Sequence, residues 1–175
     1  HQELIKQKKI HGVELVNGFE FYPIAFKFCK DHNLTYMGNT DIHGVYNQTY
    51  RTDKQYGPMT IVFARERSVE GIKEALFAQR SVVKFGDMLI GSESNLRALV
   101  KACLPYKIKS IKGNEAIMEI NNKSTLSFYL QLDSKIISIL EYGYIEFKVR
   151  LDDKIKFTNT FITDNSQLEI NIYLL

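Results

Sequence analysis

The sequence predicts an α/β domain followed by a smaller all-β domain, and three features carry that division. Up to about Leu104, short apolar runs alternate with amphipathic stretches of helical period, the signature of βα units around a parallel sheet. From Tyr106 onward, apolar and polar residues alternate one by one, as in half-buried antiparallel strands. Pro105 interrupts the last helical pattern, which places the boundary between residues 1–104 and 105–175.

In the first part, His11 to Asn17 reads as a strand. Phe21 to His32 reads as a helix, with Pro23 in its first turn and Ala25, Phe28 and Cys29 as its apolar stripe. Leu34 to Asn39 is the next strand. The polar segment from Gly44 to Gly57 is longer than a compact α/β connection needs, and Pro58 to Ala64 is a third strand. Ser68 is placed to cap a helix, Glu70 lies in the first turn where the helix dipole favours an anion, and Ile72, Ala75 and Leu76 form the stripe of a helix ending near Gln79. Ser81 to Phe85 is a short strand and Gly86 to Gly91 a turn-rich segment. Ser92 to Cys103 is a helix with Leu96, Leu99, Val100 and Cys103 on one face.

The second part reads as a small antiparallel β-sandwich. Lys107-Ile108-Lys109 alternates, Ile145, Phe147, Val149 and Leu151 alternate with Glu146, Lys148 and Arg150, and Leu168, Ile170 and Ile172 alternate with Glu169 and Asn171. Turn candidates at Gly113-Asn114, Asn121-Asn122, Asp152-Asp153 and Asp164-Asn165 separate the strands.

Composition excludes several classes. With 45% apolar and 25% charged residues the chain is an ordinary globular protein. Its 23 basic and 20 acidic side chains are interspersed, which argues against a nucleic-acid surface or a membrane-binding tail. The densest basic group, Lys6, Lys8 and Lys9, reads as a solvated helical turn. No apolar run approaches the roughly 18 residues of a membrane span. Cys29 and Cys103 fall on apolar helical faces, as buried small hydrophobes rather than a disulfide or zinc framework. The chain begins at His1, so the compartment, cytoplasmic or periplasmic, stays open, and an upstream segment is expected.

Ligands of parallel α/β folds bind beyond the carboxyl ends of the strands. Asp41 lies there, and residues two apart in an extended segment face the same side, so Asp41 and His43 send a carboxylate and an imidazole into one space. One hard oxygen and one nitrogen donor suit zinc, manganese or iron. The alternative is an Asp that shapes a turn beside an exposed His. Two ligands do not complete a site, and Glu14, His11 and His1 are the further candidates in this chain. Glu14 sits inside an apolar strand, where a carboxylate needs compensation by a metal, a histidine N–H or water. Asn17, at the end of that strand beside Gly18, either forms a turn or orients substrate.

Gly12-Val13-Glu14-Leu15-Val16-Asn17-Gly18, followed by a helix and then Met37-Gly38-Asn39-Thr40-Asp41-Ile42-His43-Gly44, resembles the end of a PHP (polymerase and histidinol phosphatase) domain. In that family a G-x-E-x-x-N strand precedes the last S-D-x-H metal motif. Pro58-Met59-Thr60, the helix from Glu70 to Phe77 and Phe85-Gly86-Asp87-Met88-Leu89-Ile90-Gly91 are similar to a subgroup with a small C-terminal β domain. The resemblance covers about residues 11 to 104. It implies the C-terminal part of a distorted (β/α)7 barrel with up to three divalent metal ions, hydrolysing phosphate esters, and Asp41 and His43 as metal ligands. Thr40 replaces the usual Ser, and the opening H-x-H motif and the middle His and Glu ligands have no counterpart here, so they are expected upstream of His1.

The substrate so implied is a phosphorylated small molecule or a phosphodiester. Arg51, in the loop with Tyr46, Tyr50 and Lys54, is the candidate phosphate contact, with a solvated loop charge as the alternative. A few parallel strands cut from a barrel leave an open sheet edge, so upstream polypeptide or an oligomeric partner is expected to complete the fold, and this chain alone is expected to be inactive. A different class of function stays open beside the enzyme. It is a non-catalytic interaction module whose β domain docks a partner or a glycan on a vestigial α/β scaffold.

Overall fold

A computed structural model describes residues 1–45, 56–163 and 165–172. Tyr46, Tyr50, Arg51 and Lys54 of the long loop, and Asp164 of the last turn, lie outside the described residues. The chain forms two compact units, His1–Ser92 and Glu93–Leu175.

The first unit opens with a short helix, α1 (Gln2–Lys6), and then builds a βαβ element. Strand β1 (Gly12–Asn17) turns through Gly18-Phe19 into the two-residue strand β2 (Glu20–Phe21). Asn17 pairs with Glu20 across that turn, and Gly18 supplies its left-handed backbone with φ 60°. Helix α2 (Pro23–His32) follows, its proline at the first turn, and ends on Asn33 in the left-handed conformation. The residues it buries are Phe26 and Cys29, with Ala25 and Phe28 only half-buried. Burial pushes the Cys29 thiol up to about 11, which makes it inert packing. The chain returns as β3 (Thr35–Asn39), parallel to β1 from Gly12↔Thr35 to Asn17↔Asn39. Between Glu14 and Val16 the register slips, with Leu15 as the extra, fully buried residue.

Strands β4 (Met59–Val62) and β5 (Ser81–Phe85) depart from the all-parallel expectation, and a further strand, β6 (Met88–Gly91), forms where the sequence predicts a turn-rich segment. β5 is antiparallel to both its neighbours. The physical reason for the second pair is the two-residue Gly86-Asp87 connection, since a parallel return needs a crossover of a dozen residues or more. Helix α3 (Val69–Phe77) joins β4 to β5, with Ser68 Oγ accepting from Gly71 N at 2.9 Å as its N-cap. Of the expected stripe Ala75 is buried, Leu76 half-buried and Ile72 exposed.

Side-chain hydroxyls tie β3 to this meander. Thr60 Oγ1 accepts from Gly38 N at 2.9 Å and donates to Gly38 O at 3.0 Å, and Ser81 Oγ donates to Tyr36 O at 2.8 Å. Thr35 Oγ1 donates to Leu76 O at 2.6 Å. So close an approach leaves no room at Gly38, where a Cβ would overlap Val83 Cγ1. Gly38→Ala is therefore expected to cost about 1–3 kcal/mol through forced displacement of the β3 and β5 backbones. Urea unfolding would read this as a lower midpoint, and an unchanged midpoint would rule out the tight contact.

The second unit begins with helix α4 (Glu93–Cys103), which buries Leu96, Leu99, Val100 and Cys103 and packs on β12 and β13. Seven strands follow: β7 (Tyr106–Lys112), β8 (Glu115–Asn121), β9 (Phe128–Leu132), β10 (Lys135–Ile139), β11 (Tyr144–Arg150), β12 (Lys154–Thr163) and β13 (Ser166–Asn171). They form two antiparallel sheets, ordered β10-β9-β12-β13 and β11-β8-β7. Alternation buries Ala116, Met118 and Ile120 of β8 and Phe128, Leu130 and Leu132 of β9. The Phe128 ring meets Phe157 edge-on at 6.4 Å. β7 differs: its register slips between Ile108 and Ser110, and Ile108 and Ile111 stay exposed at the sheet edge.

Candidate metal and substrate site

Because β1 and β3 run in parallel, their carboxyl ends lie side by side, and Asn17 pairs with Asn39 there. Beyond them Asn17, Gly18, Phe19, Glu20, Tyr22, Thr40 and Asp41 line an open cleft of about 420 Å³. Asp41 therefore stands where an α/β fold places its ligand-binding groups.

Asp41 Oδ1 lies 3.4 Å from His43 Nε2. The two side chains share one space, but not through an extended segment, since Asp41 holds a left-handed φ of 50°. Asp is among the few side chains that accept this conformation readily. Both face solvent, with 55% of the Asp41 side chain and 87% of the His43 side chain exposed. Among the described residues no third His, Cys, Asp or Glu joins them in a cluster.

Glu14 is compensated by amides. Asn17 Nδ2 donates to its Oε2 at 2.8 Å, and Asn39 Nδ2 to its Oε1 at 2.5 Å. In a regular strand residues three apart face opposite sides. The extra residue Leu15 cancels that offset and brings Glu14 and Asn17 together. The bonds from Asn17 and then Asn39 hold the Glu14 carboxyl below its ordinary range against the opposing effect of burial, so it is ionised at neutral pH. Across the cleft Tyr22 Oη donates to Glu20 Oε2 at 2.5 Å. That bond first, then burial and the charges of Glu20, Asp41 and Glu14, push the Tyr22 phenol up and keep it a donor.

His11 sits just before β1, at the opposite end from Asn17, with its ring 4.5 Å from that of Phe77. That position separates it from Asp41 by the length of the strand. His1 is an exposed residue ahead of α1. Arg51 lies outside the described residues. Asn39, Glu20 and Tyr22 were not singled out from sequence. An Asn closing each of two neighbouring strands was the available signal for Asn39, while Glu20 and Tyr22 become visible only once β2 is seen to fold back beside β1.

No family model matches the chain, and no curated protein matches it. Among solved structures the chain is similar to a two-domain protein from Bacteroides vulgatus ATCC 8482, described as containing a predicted PHP-like metal-dependent phosphoesterase. The match covers 98% of this chain with 28% identity and a TM-score of 0.88. The chain spans 55% of the length of that protein. A relationship to PHP-like proteins thus rests on the fold as well as on the motifs. Among the described residues no helix is long and apolar enough to cross a membrane.

Proposed function

We propose that the chain contributes one edge of a divalent-metal site in a phosphoesterase that hydrolyses a phosphorylated small molecule or a phosphodiester. The observation that carries this reading is the convergence of Asp41 and His43, 3.4 Å apart, at the carboxyl ends of parallel strands beside an open cleft. The donor set fits. One hard oxygen and one nitrogen donor in a shared space are what zinc, manganese or iron accepts. Two donors leave the remaining positions to ligands outside this chain, and the ion would be zinc, manganese or iron, with up to three in a complete site.

A divalent ion bound there would supply Lewis acidity, activating water and offsetting charge on the phosphoryl oxygens. The residues of this chain hold and position. Asp41 and His43 would be the ligands, Glu14 and Asn17 would position groups beside them, and Arg51 is the candidate phosphate contact. On this reading the parallel β1-α2-β3 element belongs to the closing part of a distorted (β/α)7 barrel, and the strands from Tyr106 onward form a small β-sandwich. Polypeptide upstream, or a partner subunit, completes the barrel.

The test is metal analysis of the full-length protein together with hydrolysis of p-nitrophenyl phosphate and bis(p-nitrophenyl) phosphate, before and after chelation. Bound metal and chelator-sensitive cleavage of one ester are expected, and which ester is cut separates mono- from diesterase. A protein that binds no manganese or zinc and cleaves neither ester would sink the reading.

A further inference from the structure

We propose that Glu14 sets the polarity of the cleft. It holds the NH2 groups of Asn17 and Asn39 inward, so that Asn17 presents its carbonyl oxygen to the ligand and recognises an O–H donor rather than a phosphate oxygen. This rests on the cleft being the edge of the phosphoesterase site described above.

The argument is one of donors and acceptors. An ionised carboxylate only accepts, so an amide beside it must turn its nitrogen toward it. Glu14 has two oxygens and each is taken by a different asparagine, at 2.8 Å from Asn17 and 2.5 Å from Asn39. Neither amide can flip without setting its oxygen against the carboxylate and leaving that side of Glu14 unpaired, so both are locked. The amide is planar, and with Asn17 Nδ2 on Glu14 its Oδ1 occupies the other arm of the group. Among the described residues that oxygen accepts no hydrogen bond from the protein, and Asn17 lines the cleft while Glu14 does not. Two neighbouring lining groups share this polarity. Tyr22 spends its hydroxyl proton on Glu20, and Asp41 is a further acceptor. A phosphate oxygen facing Asn17 would meet another acceptor. A hydroxyl or a water molecule would find the bond it lacks.

The decisive experiment exchanges the two functional groups in the full-length protein. In Glu14→Gln/Asn17→Asp net charge is unchanged, the amide now lies at position 14, and position 17 still offers an oxygen to the cleft. If Asn17 accepts, the exchange variant retains affinity that Asn17→Ala loses, a difference of about tenfold, the lower end of what second-layer partners contribute. If Asn17 donates to phosphate, the exchange variant fails as badly as Asn17→Ala, and the proposal is overturned. It is overturned too if Asn17→Ala changes nothing.

The probes are manganese alone, by calorimetry, and KM for glycerol 2-phosphate and isopropyl phosphate. A loss confined to glycerol 2-phosphate makes the donor a substrate hydroxyl. A loss shared by manganese and both esters makes it water.

Side-chain amide NMR gives a readout independent of turnover. The Asn17 and Asn39 NH2 signals are expected to be protected from solvent exchange in the wild type and released in Glu14→Ala. If the wild type neither binds manganese nor cleaves either ester, the phosphoesterase reading fails by itself, and unprotected amides would overturn the clamp separately.

Discussion

Asp41→Asn in the full-length protein is expected to lower metal affinity by at least about 100-fold, since removal even of an outer-layer partner costs 10–100-fold, while leaving stability close to the wild type. The pairing of these outcomes separates the two roles that the sequence leaves open. Asp41 has a left-handed backbone, φ 50°, and Asn is as tolerant of that conformation as Asp. A residue retained only to shape the turn would therefore accept the substitution without consequence. A ligand would not, because a neutral amide oxygen is a far weaker partner for a divalent cation than a carboxylate. His43, 3.4 Å away and largely exposed, contributes little packing, so His43→Ala should likewise spare the unfolding midpoint while reducing metal stoichiometry. Metal content by mass spectrometry of the dialysed protein, beside urea unfolding, reads both. Undiminished metal affinity in Asp41→Asn would remove Asp41 from the ligand set and return it to the turn.

Legibility from sequence followed the range of the interactions. Helix α4 was readable because Leu96, Leu99, Val100 and Cys103 recur at helical spacing and all four are buried. Strand β5 was readable as Ser81 to Phe85 because its apolar run is bounded by turns. The direction of β4 and β5 was not readable, because the eighteen-or-so residues between them are as compatible with a parallel crossover as with the antiparallel return that forms. Within the site, the D-x-H motif stood out because it is local. The Glu14–Asn17–Asn39 clamp did not, because it depends on a register slip at Leu15 that no period-two reading contains. A strict alternation would have placed Glu14 and Asn17 on opposite faces.

Asn122 shows the same limit with a larger energetic consequence. In sequence it is half of an Asn-Asn turn candidate, yet it is 1% exposed and every polar atom of its side chain is used. Nδ2 donates to Leu126 O at 2.6 Å and Leu140 O at 2.8 Å, and Oδ1 accepts from Ser124 N at 3.0 Å and Ser124 Oγ at 2.7 Å. Its backbone N–H donates to Gly143 O at 2.8 Å, so one residue ties the connection after β8 to the one before β11. Asn122→Asp preserves the shape and removes both donors. It leaves two carbonyls unpaired and sets a buried carboxylate against them, a change expected to cost about 3–5 kcal/mol at neutral pH. The sign of its pH dependence follows. Burial and the facing carbonyl dipoles raise the folded-state pKa of the new carboxyl above its unfolded value of about 3.9. The penalty is therefore full above the raised folded pKa and is relieved as the pH falls through it, when the protonated acid can donate again to one carbonyl. The gap in unfolding free energy between wild type and Asn122→Asp should narrow on acidification, whereas Asn122→Ala, with no group to titrate, should show a gap that stays constant. A gap for Asn122→Asp that is flat from neutral to mildly acid pH would mean that this site admits water, and that Asn122 holds the loops together less tightly than its four side-chain hydrogen bonds indicate.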